Sequence, residues 1–468
     1  MLLPANFGFL GVLRESFYIC VVPVLLAAVL YFRQFRDGTE VKLLFAFWIW
    51  FWFSRALNGS PTLDHDFRIF FDLSLMIPFF ALGPGLTNAE RVHFLDWLSA
   101  VIGGFYFVVG LIALSAFFRH SMYALPFAEA RIGILPEAGR VHVIILDDNC
   151  NITAFWYLAA LFLMIYQFFH CKKKLWRVPI LFSAVLDLLV IAVLFSRSIW
   201  LCKALAFAML AAMLLLQHLQ NRSRFLRMSV VFAAAVLVLV ASYEISGLCS
   251  DAMIGLSYKT ADTQLTPSGT TQQRAAPEEA GWAEQRISIH PTVLSSGKKE
   301  APATVRLVSN SEQSDSYTES EDLNYAPFSR RQIWRGAFQT IRTMPSILWR
   351  GHLCDSVLLD AYRFITNDGT GQIPWNFYSS PIQVLMVTGL PGLLLVLSFL
   401  ALMLYRGLSL SLFVRLPLDI RTLVLPVVAT MPYFMLEAGL FSAIDMRTLF
   451  YFLMCGLMIG SARTYSGA

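Results

Sequence analysis

Residues 180–216 read ILFSAVLDLLVIAVLFSRSIWLCKALAFAMLAAMLLL, and only Asp187, Arg197 and Lys203 in this stretch belong to the charged residue types Asp, Glu, Lys and Arg. A hydrocarbon core of ~30 Å needs about 20 apolar residues in a helix. The runs 178–196 and 199–217 each meet that length, and almost no loop joins them. The pattern predicts a membrane-spanning helical hairpin. In lipid every backbone N–H and C=O must find a partner inside its own segment, and a helix achieves this.

The rest of the chain follows the same pattern. Of 468 residues, 57% are apolar and 14% charged, against roughly 45–50% and about 25% in a soluble domain. The mean hydropathy is +0.61. A single soluble core of this size lacks the polar surface to cover it. Apolar runs fall near 16–32, 41–57, 67–86, 94–117, 151–170, 178–196, 199–217, 228–247, 380–405, 421–440 and 444–462. The expectation is an all-α integral membrane protein with about eleven spans, or twelve if residues 1–13 join a broken one. Residues 1–13 lack a basic start and a small-residue cleavage site, which argues against a cleaved signal peptide. The seven cysteines form no C-x-x-C pair, so neither a zinc site nor a disulfide framework is expected.

The net charge of +5 comes from 36 Lys and Arg against 31 Asp and Glu. In a membrane protein this charge speaks to loop orientation rather than to nucleic acid. Lys172, Lys173, Lys174 and Arg177 form the densest basic group, and Arg33, Arg36 and Lys42, Arg222, Arg224 and Arg227, and Arg406, Arg415 and Arg421 form three more. Eleven spans put all four groups, and the C-terminus, on the cytoplasmic side of a plasma or inner membrane. Residues 118–150 and 248–378 then lie outside. The division is an N-terminal bundle of about eight spans (1–247), a large extracytoplasmic loop (248–378) and about three C-terminal spans (379–468). Within the loop, 257–324 is rich in Ser, Thr, Gln, Glu and Pro without helical or strand period, which reads as largely disordered.

Order returns as an amphipathic interfacial helix over 329–350. Trp334, Ala337, Phe338 and Ile341 share one face, Arg331, Arg335 and Arg342 the opposite one, and Pro345 ends the first part. Arg330 stands one turn before Trp334 and so belongs to the apolar face, where an anionic partner would explain it. Ionisable groups within spans cost ~2.5–3.5 kcal/mol on insertion scales. Arg68 and Asp72, four apart, suit an ion pair; Asp445 and Arg447 suit an interfacial position. Asp187 is a candidate partner for Lys203, and Glu437 a polar wall of a site. Arg197, in the tight turn Val193-Leu-Phe-Ser-Arg-Ser-Ile-Trp200, offers a planar fork of donors suited to phosphate oxygens or to lipid headgroups.

These segments resemble the O-antigen ligase and polysaccharide polymerase superfamily. Leu194-Phe-Ser-Arg-Ser-Ile-Trp200 is similar to its SR hairpin, and Ser329-Arg-Arg-Gln-Ile-Trp-Arg-Gly-Ala-Phe338 to the R-x-x-x-W-x-x-A helix of its outer loop. Pro345-Ser-Ile-Leu-Trp-Arg-Gly351 resembles the step that follows. Ile382-Gln-Val-Leu-Met-Val-Thr-Gly-Leu-Pro-Gly392 resembles the start of the next span, and Asp148-Asn-Cys-Asn-Ile-Thr-Ala154 that of an earlier one. The resemblance covers about 130–405. It implies a GT-C-like fold and an inverting, metal-independent enzyme without cofactor. The donor would be a glycan on undecaprenyl diphosphate, and the acceptor a hydroxyl of a glycan or of a lipid-linked sugar. Membrane lipid would be a partner and nucleic acid would not. Carried over residue by residue, Arg197 and Arg330 would hold the diphosphate; Arg331, Arg335 and Glu437, read from their positions in this sequence, are the supporting candidates.

One departure stands out. Where the family's ligases carry His-Asn as general base, counting back from Gly389 gives Tyr378-Ser379, and the acidic residue before Thr-Gly is Val387. Tyrosine, with a reference pKa of about 10, is a poor base at neutral pH. His352 is the tentative replacement. Polymerase and ligase both remain open. A non-catalytic scaffold of envelope glycan assembly and a transporter are the other readings.

Overall fold

The structure is a computed structural model that describes residues 38–58, 63–119, 122–124, 131–137, 140–145, 150–194, 196–219, 223–264, 330–352, 357, 360–361, 364, 377–413, 416–437 and 446–466. The described residues form α1 (Thr39–Leu57), α2 (Leu63–Gly85), α3 (Asn88–Arg119), strands β1 (Met122–Ala124), β2 (Arg131–Glu137) and β3 (Arg140–Ile145), then α4 (Cys150–His170), α5 (Lys174–Val193), α6 (Arg197–His218) and α7 (Arg224–Gln264). After these come α8 (Arg330–Thr343), α9 (Ile347–Arg350), α10 (Ser380–Leu408) with a π-helical turn at Ser409–Phe413, α11 (Leu418–Thr422), α12 (Leu425–Val428), α13 (Met431–Leu436) and α14 (Met446–Ser466).

Among the described residues, seven helical stretches are long and apolar enough to cross a bilayer: α3, α4, α5, α6, residues 225–253 of α7, α10 with its π turn, and 418–436. The protein is therefore a multi-pass membrane protein. Of the other expected spans, 41–57, 67–86 and 444–462 are helical as α1, α2 and α14, but they do not join those seven. Glu40, Lys42 and Arg55 punctuate α1, and Arg447 and Arg463 stand near the two ends of α14. The run 16–32 and the pair Arg68 and Asp72 as side chains lie outside the described residues, as does Asp445.

The bundle is helical as expected, and one short sheet is added to it. β1, β2 and β3 form an antiparallel meander in which Met122 faces Gly133 and Glu137 faces Arg140. Ile132, Ile134, Val141, Val143, Ile144 and Ile145 supply the β-branched residues that favour a pleated surface. α7 runs unbroken to Gln264, past both the expected span end and the change in composition. The remainder of the polar insertion, 265–329, lies outside the described residues.

Two helices are buried all round and form the centre. α4 is buried continuously from Thr153 to Tyr166 and α14 from Thr448 to Ser461. Apolar character on every side is the mark of a helix surrounded by protein. α14 lies against α2 at backbone distance: a Cβ on Gly456 would fall 2.0 Å from the Phe80 carbonyl oxygen. Gly456 and Gly460 form the small-xxx-small step that lets helix axes approach in lipid. α7 is the opposite case, with Phe232, Leu237, Val240 and Leu248 among its exposed apolar residues.

α10 is broken at Gly389 (φ 72°, ψ −175°), beside Gly351 (φ 68°, ψ −163°). Both lie in a backbone region that only glycine occupies readily. A Cβ on Gly351 would meet the Val387 carbonyl oxygen at 2.1 Å, and one on Gly389 the Trp349 carbonyl oxygen at 2.7 Å. The step 345–352 is thus wedged into the break. Pro391 has no N–H to return to Val387. The carbonyls released there accept from other segments: Val387 from Arg55 Nη2 (2.7 Å), Thr388 from Trp50 Nε1 (2.7 Å) and Met386 from the His352 backbone N–H (2.9 Å).

Candidate functional site

The end of the bundle that carries the β-meander also carries the turn between α5 and α6. Ser196 precedes α6, is buried, and donates its hydroxyl to Asn151 Oδ1 at 2.7 Å. Ser198 Oγ lies 3.3 Å from Ser196 Oγ. These contacts fix the backbone of the turn, and they leave Arg197, the first residue of α6, with an exposed side chain.

Asn151 leads to the C-terminal part of the chain. Its carbonyl accepts from the Tyr433 hydroxyl of α13 at 3.5 Å. The Tyr433 hydroxyl accepts from Arg447 Nη1, and the Arg447 guanidinium lies 5.6 Å from the Tyr433 ring centre. One turn beyond Tyr433 stands Glu437, where α13 ends. Arg330, at the start of α8, donates Nη2 to Glu437 Oε1 at 2.5 Å and Nη1 to the Leu436 carbonyl at 3.0 Å. Ser380, opening α10, donates its hydroxyl to the Glu437 carbonyl at 2.8 Å.

The cluster is asymmetric in charge and in exposure. Two guanidiniums, Arg330 and Arg447, act on one carboxylate. The Glu437 side chain is 9% exposed, whereas that of Arg330 is 41% exposed, so part of the Arg330 side chain is accessible. Burial raises the Glu437 carboxyl above its ordinary range, and the charges of Arg330 and Arg447 oppose that rise. A net positive, half-sheltered cluster of this kind suits an anion.

An apolar crevice adjoins it. Ser380, Pro381, Leu393, Leu397, Phe434 and Met435 line this groove between α10 and α13. Ser380 and Met435 border the Arg330–Glu437 contact through Glu437 and Leu436. The cationic cluster and this small crevice, about 10 Å³ in volume, therefore share one edge.

The structure distributes the residues singled out in the sequence unevenly. Arg330 and Glu437 meet directly. Arg197 occupies the same end of the bundle, linked to them through Ser196, Asn151, Tyr433 and Arg447. Tyr378 stands two residues before α10 in a left-handed conformation (φ 48°), beside Phe377, whose carbonyl accepts from Trp334 Nε1 at 2.8 Å. It thus lies next to the cluster.

His352 is set apart. It is held at Met386, six residues past Ser380 and about 9 Å along the helix axis, with Nε2 4.0 Å from Asp360 Oδ2. Arg331 and Arg335 also stand apart. α8 buries Ile333, Gly336, Ala337 and Thr340, while Arg331, Arg335 and Phe338 are exposed. The packed face is rotated from the expected one because small residues at 336, 337 and 340 admit the close approach, and Phe338, 51% exposed, turns outward.

Two residues of the site region escaped the sequence reading. Arg447 looks like a plain interfacial arginine until α14 is placed beside α13. Arg55, at the end of α1, is buried with its guanidinium 4.9 Å from the Phe51 ring centre, and no local pattern links it to Val387. The suggested Lys203–Asp187 pair is not formed. Lys203 Nζ donates to Ser246 Oγ at 2.5 Å on α7, and both Asp187 carboxylate oxygens are buried without a hydrogen-bond partner.

At the other end of the bundle, buried arginines close helix ends. Arg91 donates to the Gly83 and Leu86 carbonyls, and Arg421 to those of Ser411 and Met213. His170 Nδ1 meets Asp419 Oδ2 at 2.8 Å there. Among the described residues no group of three or more His, Cys, Asp or Glu side chains is placed to hold a metal ion.

No family model matches the sequence, and no curated protein or solved structure matches it.

Proposed function

We propose that the chain is a membrane glycan transferase that takes a glycan from an undecaprenyl-diphosphate carrier and passes it to a sugar hydroxyl, as a surface polysaccharide polymerase or an O-antigen ligase. The observation that carries this reading is the shared edge of the Arg330–Glu437–Arg447 cluster and the α10–α13 crevice. A lipid-borne diphosphate is an amphiphile with an anionic head and a long apolar tail. The arginines would receive the head, and the apolar side of α10 beside the crevice, where Leu394 and Leu397 are exposed, the first isoprene units.

In this reading Arg330, with Arg197 from the neighbouring turn, offsets the charge that grows on the departing diphosphate. The cluster end faces outward from a plasma or inner membrane, and the basic loops, such as Lys172–Lys174, face the cytoplasm. The scaffold alternative shares the architecture without the chemistry. A transporter would use a broken span to bind its cargo, and α10 is broken. The carbonyls of that break, however, already accept from Arg55, Trp50 and His352, which leaves them to the protein rather than to an ion.

The test is a deletion strain examined for its surface glycan and its pool of lipid-linked repeat units. The expected result is loss of the glycan with accumulation of the lipid-linked units. Complementation by Arg197→Ala or Arg330→Ala should insert normally and restore less than about a hundredth of the wild-type glycan, the scale on which one charge-stabilising donor matters. An unchanged glycan and lipid-linked pool in the deletion strain, or full rescue by both variants, would overturn the reading.

A further inference from the structure

We propose that Glu437 is the proton acceptor of the transfer, and that arrival of the diphosphate releases it from Arg330 to do so. The inference rests on the transferase reading and supplies the base that the sequence lacks at Tyr378.

Three observations lead there. Glu437 is a carboxylate at the cationic cluster, whereas His352 is held about 9 Å along α10 from Ser380. Its Oε1 takes one prong of the Arg330 fork, Nη2, a position that an anionic oxygen of a ligand could take, while Nη1 donates to the Leu436 carbonyl. Its backbone is tethered independently of that contact: its carbonyl accepts from Ser380 and its N–H donates to the Tyr433 carbonyl. The side chain can therefore swing while the main chain stays.

The exchange has a physical logic. Without ligand, Arg330 holds Glu437 Oε1 and its charge opposes the rise that burial causes. A diphosphate presents more charge and more acceptor oxygens than one carboxylate, so it displaces Glu437 from Arg330. The freed carboxylate remains sheltered, and burial without its main counter-charge favours taking up a proton. The groups facing it are Arg330 from α8, Arg447 from α14, Tyr433 from its own helix and Ser380 from α10. Base strength thus rises further when the donor is seated, in the state that reacts.

In the step itself, the acceptor hydroxyl oxygen forms a bond to the anomeric carbon. The bond from that carbon to the diphosphate oxygen breaks, and its electron pair stays on the diphosphate. The hydroxyl proton passes to Glu437 Oε1 or Oε2.

The experiment uses the full chain in lipid nanodiscs with two probes. Geranylgeranyl diphosphate, an isoprenyl diphosphate without sugar, reports head-group binding. Lipid-linked repeat units from the deletion strain report turnover. Glu437→Gln should bind geranylgeranyl diphosphate at least tenfold tighter, because the internal competitor is gone. Its turnover should fall about a hundredfold or more, the range of a lost general base. Glu437→Asp, which keeps the carboxylate on a shorter stem, should recover part of that turnover. Wild-type turnover should fall with acid as Glu437 becomes protonated, at a pH above the ordinary carboxylate range, and Glu437→Asp should keep an acid limb.

Wild-type turnover in Glu437→Gln, with probe binding still dependent on Arg330, would overturn this inference and leave the site reading standing. Probe binding indifferent to Arg330→Gln would overturn both.

Discussion

Arg55 shows how one side chain can set the shape of a helix hundreds of residues away. Its guanidinium occupies the carbonyl that Pro391 frees on Val387. In lipid no water can take that place. Arg55→Leu should lower the unfolding free energy in detergent by about 1–3 kcal/mol, the cost of a buried acceptor left unpaired, with Arg55→Lys losing less. An unchanged melting temperature in Arg55→Leu would show that the carbonyl finds another donor. This contact was not legible in the sequence, because its partners are 332 residues apart. Arg330 and Glu437 were each legible as charges in unexpected places, since lipid makes such charges conspicuous. Their pairing, and the absence of a Lys203–Asp187 pair, depend on how helices are rotated, which apolar periodicity alone does not fix.

At the level of elements, the apolar runs were readable because length and composition suffice for a span. The broken course of α10 was half readable. Thr388-Gly389-Leu390-Pro391 announces an interruption, but not that 345–352 would be wedged into it. Gly351→Ala should destabilise that junction more than Gly389→Ala, since its Cβ meets a carbonyl oxygen at 2.1 Å rather than 2.7 Å. Each change adds about 1–3 kcal/mol of backbone strain. Thermal unfolding in detergent, with limited proteolysis of the 345–352 step, checks the order; equal effects would mean that the two backbones can part without cost. The β-meander went unread because 131–145, rich in Ile and Val, lies between two long spans. The face of α8 was misjudged because Gly336 and Thr340 serve packing as well as bulky residues do.

At the scale of the whole molecule, one pair of central helices carries much of the bundle. Gly456→Val should part α2 from α14 and cost about 3 kcal/mol or more, at the upper end of overpacking. Leu237→Ala on the exposed side of α7 should change stability by no more than about 0.5 kcal/mol. Thermal unfolding of both variants in the same detergent is the comparison, and similar losses would mean that the centre lies elsewhere. The close approach of α2 to α14, where a Cβ on Gly83 would fall 2.1 Å from the Gly456 carbonyl carbon, also bears on how the protein is made. A ribosome adding about 5–20 residues per second releases the first of these positions some tens of seconds before the second. During that wait the early helix has its closest neighbour missing, so whatever guards nascent chains at the translocon must shield a groove that only later synthesis can fill.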